Sequence, residues 1–343
     1  MCVFCTIVPP HVLKKYSEDG SMKESVRNSM RNTLALDAQL RKLRAQARNL
    51  SRTSHGISAI ATIATAPAVN LFDCKNSRSL PGSPVSSPAN SSDATVKRVF
   101  VDTGDVVKFY QTVFNRNSID NAGMTLISSV HYDVAYANAF WNGSQMTYGD
   151  GDGSIFIDLS LGDDVIGHEL THGVTQHSLQ LSYVNEAGGL NESISDVFGS
   201  MFRQWRAGQD VNAADWLIGA DIMGAGAKQQ GFTCLRDLSD PTAAHCLGGK
   251  QPVKIGQFKT GMDPHVSSGI GNLAFYRIAK AIGGKSWEKA GRIWYDTLTA
   301  SGASPNMKMS TFANRTRASA AKLFPGDSAV ANAVDAGWKQ AGL

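Results

Sequence analysis

Val165-Ile166-Gly167-His168-Glu169-Leu170-Thr171-His172-Gly173-Val174-Thr175, followed further on by Gly188-Gly189-Leu190-Asn191-Glu192-Ser193-Ile194-Ser195-Asp196-Val197-Phe198-Gly199, decides how this chain is read. Both stretches place apolar residues three and four apart, the period of a helix with one buried face. His168 and His172 are four apart, so on a helix their imidazoles share a face and can converge on one metal ion, with Glu169 placed to reach a water bound to it. Glu192 and Asp196 are also four apart, among Ile194, Val197 and Phe198, which argues for burial. A catalytic zinc takes three protein ligands plus water, and two histidines with one carboxylate are a standard set, so Glu192 is the expected third ligand. Asp196 is then placed to accept the free ring N–H of His168, and Asn191, next to Glu192, is a further supporting candidate.

Outward from these helices the chain divides into two styles. After Gly162 the helical period dominates: Asp163 to Gln176, Leu190 to Arg206, His265 to Ile282, Lys285 to Thr297 and Met309 to Leu323. Before it, Ala68 to Asp73 alternates like a strand and Leu80 to Ser92 is a Pro/Gly/Ser/Asn loop. Val106 to Phe114 reads as helix, and strand-like stretches run from Met124 to Ile157. A β-rich half followed by an α-rich half predicts an α+β fold of two lobes, with the site in the cleft between them. Asp150 and Asp152 suggest a calcium loop, but an EF-hand begun at Asp150 would need glutamate where Leu161 stands.

The 343 residues, 42% hydrophobic, suffice for a core without disulfides. The net charge of +4 is too weak to suggest a nucleic-acid partner. It is also uneven: residues 1–52 hold ten Lys/Arg against four Asp/Glu, a charge of +6, leaving −2 for the rest. No apolar run approaches the roughly 18 residues of a membrane span. Cys2, Cys5, Cys74, Cys234 and Cys246 form no C-x-x-C knuckle, and pairing of Cys234 with Cys246 stays open. Met1 to Pro10 lacks the basic start of a secretory signal, so no standard leader is read there and the compartment stays open between export by another route and the cytoplasm.

The two opening stretches resemble the zinc-binding core of the thermolysin-type metallopeptidases. Asn138-Ala139-Phe140-Trp141 with Tyr148-Gly149-Asp150-Gly151-Asp152-Gly153 is similar to that family's substrate-binding edge strand, and Leu235 to Pro241 and His265 to Ile270 are similar to its transition-state segments. The resemblance spans residues 67–343 and implies a two-lobed thermolysin-like fold, lobes at 67–187 and 188–343, one catalytic Zn2+ and hydrolysis of polypeptides by a monomer. It implies Glu169 as proton carrier, His265 and Tyr183 as oxyanion donors and Arg236 as holder of a substrate carbonyl. Substrate is expected to add a strand against Asn138 and Ala139, with Phe156, Val165, Ile218 and Leu235 lining an apolar pocket that selects a bulky residue on the amine side of the cut. A catalytically silent zinc protein is the competing reading, and retention of Glu169, Tyr183 and His265 together argues against it. The family carries an aspartate five residues before its transition-state histidine; here that place is Thr260, and Asp263 is the nearest acid.

Cys5-Thr6-Ile7-Val8-Pro9-Pro10-His11-Val12-Leu13 resembles the short propeptides of protealysin-like members of the family. Residues 1–52 are therefore expected to be a propeptide acting in cis, cut between 45 and 60, with the Cys5 thiolate blocking the zinc. Leu34, Leu36, Leu40 and Leu43 predict an amphipathic helix within it, and Ser51 to Ala66 a linker. Of the acidic cluster that binds calcium in many members, Asp164 and Asp215 persist, while Arg203, Leu217 and Ala220 replace three acids. No calcium is expected there, and Arg203 should pair with Asp164 and Asp215 instead.

Overall fold

The computed structural model describes residues 5–51 and 68–343, with the backbone alone given for 44–51. The N-terminal segment forms β1 (Cys5–Thr6), α1 (Pro10–Glu18) and α2 (Glu24–Ser51). The β-rich lobe follows with β2 (Val69–Asp73), β3 (Ser83–Pro84), α3 (Ala94–Phe114), β4 (Leu126–Val130), β5 (Ala139–Trp141), β6 (Met146–Tyr148) and α4 (Asp163–Gln176). The helical lobe contains α5 (Asn185–Ala207), β7 (Leu217–Ile218), α6 (Ala225–Gln229), β8 (Arg236–Asp237), α7 (Pro264–Ser267), α8 (Gly269–Ile282), α9 (Ala290–Thr299), α10 (Met309–Leu323) and α11 (Ser328–Gln340). The α+β arrangement expected from the sequence is the one observed.

Six strands make one sheet in the order β1-β5-β6-β4-β2-β3, so the N-terminal segment supplies an edge strand to the lobe that follows it. β1 runs antiparallel to β5, with Cys5 opposite Trp141 and Thr6 opposite Phe140. The segment is anchored by burial as well: Ile7, Val12, Leu13, Tyr16 and Met30 join the main apolar core, and Leu36 packs with Tyr132, Tyr136 and Phe140. It also spans both lobes. Ser29 Oγ donates to Ala135 O at 2.6 Å and Ala137 N to Thr33 Oγ1 at 3.0 Å on one side, while Tyr16 OH donates to Gln230 and the His11 ring meets Gly248 O on the other.

Several boundaries differ from the sequence reading, each for a local reason. α3 begins at Ala94, a dozen residues before the expected start, because Asp93 caps it by accepting from Thr95 N and Val96 N. The helix expected from His265 is divided at Ser268, and its first turn is capped by Asp263. Ser286 to Lys289 forms turns rather than helix, so α9 starts at Ala290. α11 goes beyond the expected helices, since its alanines dilute the apolar period, yet Asp327 caps it and Val330, Val334 and Trp338 bury one face. The divide expected between 187 and 188 falls inside the first turn of α5. The linker at 51–66 lies outside the described residues apart from the last residue of α2, as does most of the expected cut region.

Candidate active site

Two glycines let α4 and α5 cross almost backbone to backbone. A methyl on Gly199 would stand 2.5 Å from Asp164 O, and one on Gly167 would meet Gly199 Cα at 3.1 Å. Only hydrogen fits there, and the close crossing aims Glu192 and Asp196 at the His168/His172 face. His168 Nε2 and His172 Nε2 stand 3.0 Å apart, with Glu192 oxygens at 3.5 and 3.4 Å from them. The three donor atoms lie within 4.8 Å of one another and all three residues are fully buried.

The ring tautomers point to a cation. His168 Nδ1 donates to Asp196 Oδ1 at 2.8 Å and His172 Nδ1 donates to Asn191 Oδ1 at 2.8 Å, which leaves both Nε2 lone pairs facing inward. Ser195 Oγ also lies 3.1 Å from His172 Nδ1. Burial holds the His168 imidazole down to about 4, so it is neutral. Glu192 Oε2 and Glu169 Oε1 are buried with no hydrogen-bond partner. Two facing lone pairs and two orphaned carboxylate oxygens are costly unless a metal and its water complete them. The donor set, two imidazoles and a carboxylate, is that of zinc.

Around this centre the support is dense. Asp196 accepts from His168, from Nε and Nη2 of Arg236 at 2.8 and 2.7 Å, and from Asn272 Nδ2 at 2.8 Å. Burial alone would raise the Asp196 carboxyl, but the Arg236 guanidinium and His168 hold it at about 2. Glu169 Oε2 accepts from Trp141 N at 2.9 Å, and burial pushes its carboxyl well above the usual carboxylate range. Asp263 Oδ1 accepts from both the backbone N and Nδ1 of His265, at 2.9 and 2.8 Å, so it orients this ring in place of the acid missing at Thr260. Although burial opposes it, the charges of Glu192 and Asp263 raise the His265 imidazole and favour a ring that donates from both nitrogens. Tyr183 OH donates to Glu192 Oε1 and lies 3.2 Å from His265 Nε2.

The N-terminal segment runs through this cleft. Thr6 O accepts from His265 Nε2 at 2.6 Å, Ile7 N donates to Ala139 O at 3.2 Å, and Ile7 O accepts from Arg236 Nη1 at 3.2 Å. Val8 N donates to Asn138 Oδ1 at 2.9 Å, and Asn138 Nδ2 donates to Asp37 Oδ2 at 2.9 Å. Ile7 and the four expected pocket residues, Phe156, Val165, Ile218 and Leu235, are all fully buried, and Leu235 N donates to Ile218 O. The edge expected to receive substrate therefore holds β1. One expectation is corrected: Cys5 is disulfide-bonded here, and a sulfur in that bond carries no thiolate charge with which to ligate a metal. The group that meets the His265 ring is instead the Thr6 carbonyl.

Asn272, Ser195 and Asp37 join the site without standing out in the sequence. Each is a polar residue inside an apolar helical period, and that is the signal the sequence offers for them. Asp152, by contrast, accepts from the backbone N–H groups of residues 154–156 and so shapes a turn. Arg203 Nη1 lies 3.0 Å from Asp163 and contacts Asp221, and the guanidinium stands 3.9 Å from Asp164 and from Asp215. The expected pairings are thus present but looser than those with Asp163 and Asp221, which the sequence does not suggest.

Two family descriptions match the chain: "Thermolysin metallopeptidase, catalytic domain" over residues 41–176, and "Thermolysin metallopeptidase, alpha-helical domain" over residues 179–343. An "Extracellular metalloprotease" of Pectobacterium carotovorum is 37% identical, covering 99% of this chain and 96% of its own length. "Protease PrtS" of a Photorhabdus species is 40% identical over 80% of this chain and 76% of its own length. Among solved structures, the precursor of protealysin from Serratia proteamaculans superimposes with a TM-score of 0.83 at 36% identity, covering 98% of this chain and 99% of that one.

Proposed function

The chain belongs to the thermolysin metallopeptidase family, and from that premise we propose that it is made as a zymogen whose residues 1–52 block the cleft. Cut between 45 and 60, it becomes a monomeric zinc endopeptidase that cleaves polypeptides before a bulky hydrophobic residue. The observation that carries this reading is the course of residues 5–8. They lie along β5 as an added strand, with one carbonyl on His265, the next on Arg236, and the following N–H on Asn138. A peptide substrate offers the same groups at the same intervals, so the Thr6–Ile7 bond marks where a scissile bond would lie. Ile7, on its amine side, is the kind of residue an apolar pocket built from Phe156, Val165, Ile218 and Leu235 selects.

His168, His172 and Glu192 would hold the zinc, which when bound supplies Lewis acidity to a carbonyl and acidifies a water. Glu169, anchored by Trp141 N through one oxygen and free at the other, takes a proton from the attacking water and returns it to the leaving amine. His265, oriented by Asp263, and Tyr183 donate to the oxyanion, and a donor of this kind contributes about 10²–10³-fold. Arg236, locked in a fork on Asp196, holds the next carbonyl and fixes register. Action outside the cell is part of the proposal, in line with the name of the Pectobacterium relative.

Mass spectrometry of the purified chain over time, with sequencing of the products of casein digestion, tests it. Loss of the first 45 to 60 residues, and cuts preceding Leu, Ile or Phe, are expected. Glu169→Gln should retain the zinc held by His168, His172 and Glu192 and lose activity by about 10²–10⁴-fold, whereas His172→Ala should lose both that zinc and activity. Full activity of the uncut chain, or cleavage by Glu169→Gln at the parent rate, would be incompatible with this reading.

A further inference from the structure

The loop from Thr233 to Gly248 carries Leu235 and Arg236, and its two legs lie side by side. Thr233 N donates to His245 O at 3.0 Å, Leu247 N to Cys234 O at 2.8 Å and Gly248 N to Leu235 O at 3.0 Å. Cys234 and Cys246 face each other across a parallel bridge. This register gathers Cys234 Sγ, Cys246 Sγ and a ring nitrogen of His245 within 4.8 Å of one another. No residue is shared with the His168, His172 and Glu192 centre.

Both cysteines are buried free thiols, with sulfurs 3.6 Å apart. Disulfide sulfurs stand about 2 Å apart. Two thiolates at about 2.3 Å from one tetrahedral ion stand about 3.8 Å apart, which is close to the spacing observed. Behind the third member, Asp237 Oδ2 lies 3.3 Å from His245 Nε2, while Asp237 Oδ1 is fixed by Ser239 N, Ser239 Oγ and Asp240 N. A carboxylate anchored in this way sets the tautomer of a ligating histidine and leaves its other nitrogen for the ion. The His245 side chain is 40% exposed, so an ion has an entry path from solvent.

We propose that Cys234, His245 and Cys246 form a second metal site, taking a thiolate-seeking divalent ion of the zinc class with water as the fourth ligand. The ion would join the legs of the loop that positions Leu235 and Arg236. The S–H···S contact with Cys246 and burial both raise the Cys234 thiol, so without metal it is neutral. Binding replaces the two S–H bonds by two metal–sulfur bonds and releases both protons to solvent. Sulfur ligands favour zinc over magnesium or calcium.

The test is metal content together with Co2+ spectra of the full chain. The purified protein should carry two zinc ions, and Cys234→Ser or Cys246→Ser one. Loaded with Co2+, the wild type should show a sulfur-to-cobalt charge-transfer band, because the His168, His172 and Glu192 set contains no sulfur. That band should vanish in either serine variant, weaken in His245→Ala and persist in Cys74→Ser. His245→Ala changes a half-exposed side chain, so it keeps the test decisive if a serine variant misfolds. A single zinc per chain without a charge-transfer band would overturn the proposal. So would a band that survives in the Cys234→Ser, Cys246→Ser double variant, or a disulfide between the two cysteines in zinc-replete protein.

Discussion

Asp37→Asn should make the N-terminal segment dock more tightly at neutral pH and remove most of the pH dependence of its docking. Asp37 on α2 is 1% exposed and accepts from Tyr136 OH and Asn138 Nδ2. Burial raises its carboxyl from 3.8 to about 6, although Tyr136, Arg41, Asn138 and His265 all pull the other way. Because the value is raised in the docked state, the undocked carboxyl ionises first. Docking is therefore strongest below about pH 4, weakens as the pH rises towards 6 and is level above that. The full difference is about 3 kcal/mol, or roughly a hundredfold in the docking equilibrium. Asparagine carries no charge, and its oxygen can accept from Asn138 while its amide donates to a turned Tyr136 hydroxyl. Hydrogen exchange over residues 24–43, corrected for intrinsic rates and measured on Glu169→Gln chains to prevent self-cutting, reads the effect. Between about pH 4 and pH 7 the parent should lose roughly 50-fold in protection that the Asp37→Asn chain keeps. Equal losses in both chains, or weaker protection of the variant at neutral pH, would refute the reasoning.

Asp196→Ala removes the acceptor shared by His168, Arg236 and Asn272, so zinc affinity measured by chelator competition should fall about 10–100-fold. A chelator selective for calcium over zinc should leave the melting temperature unchanged, because the Arg203 guanidinium supplies positive charge among Asp163, Asp164, Asp215 and Asp221. Arg203→Ala, which leaves the buried Asp164 unpaired, should cost about 3 kcal/mol in chemical denaturation. Gly199→Ala forces α4 and α5 apart and should cost about 2 kcal/mol together with some zinc, whereas Gly104→Ala, with nothing within 4 Å, should be neutral or slightly stabilising.

The residues of the metal centre are legible in the sequence because a helix turns three-dimensional proximity into spacing along the chain. His168 with His172, and Glu192 with Asp196, need only a helical backbone to share a face, and α4 spans the Asp163–Gln176 expected of it. Family resemblance points to His265, Tyr183 and Arg236, whose partners come from separate elements and follow from no local period. Tertiary structure alone decides the rest. That β1 occupies the edge of β5, that the Thr6 carbonyl meets His265, and that Asp37 reaches Asn138 depend on contacts across more than 100 residues of chain, set by which apolar faces bury together. The same holds for Asp163 and Asp221 around Arg203, and for Cys234, His245 and Cys246, where a loop returns on itself and cysteines with no recognisable spacing become neighbours. Local chemistry is written along the chain, but the partners of a buried charge or a thiol are fixed only by packing.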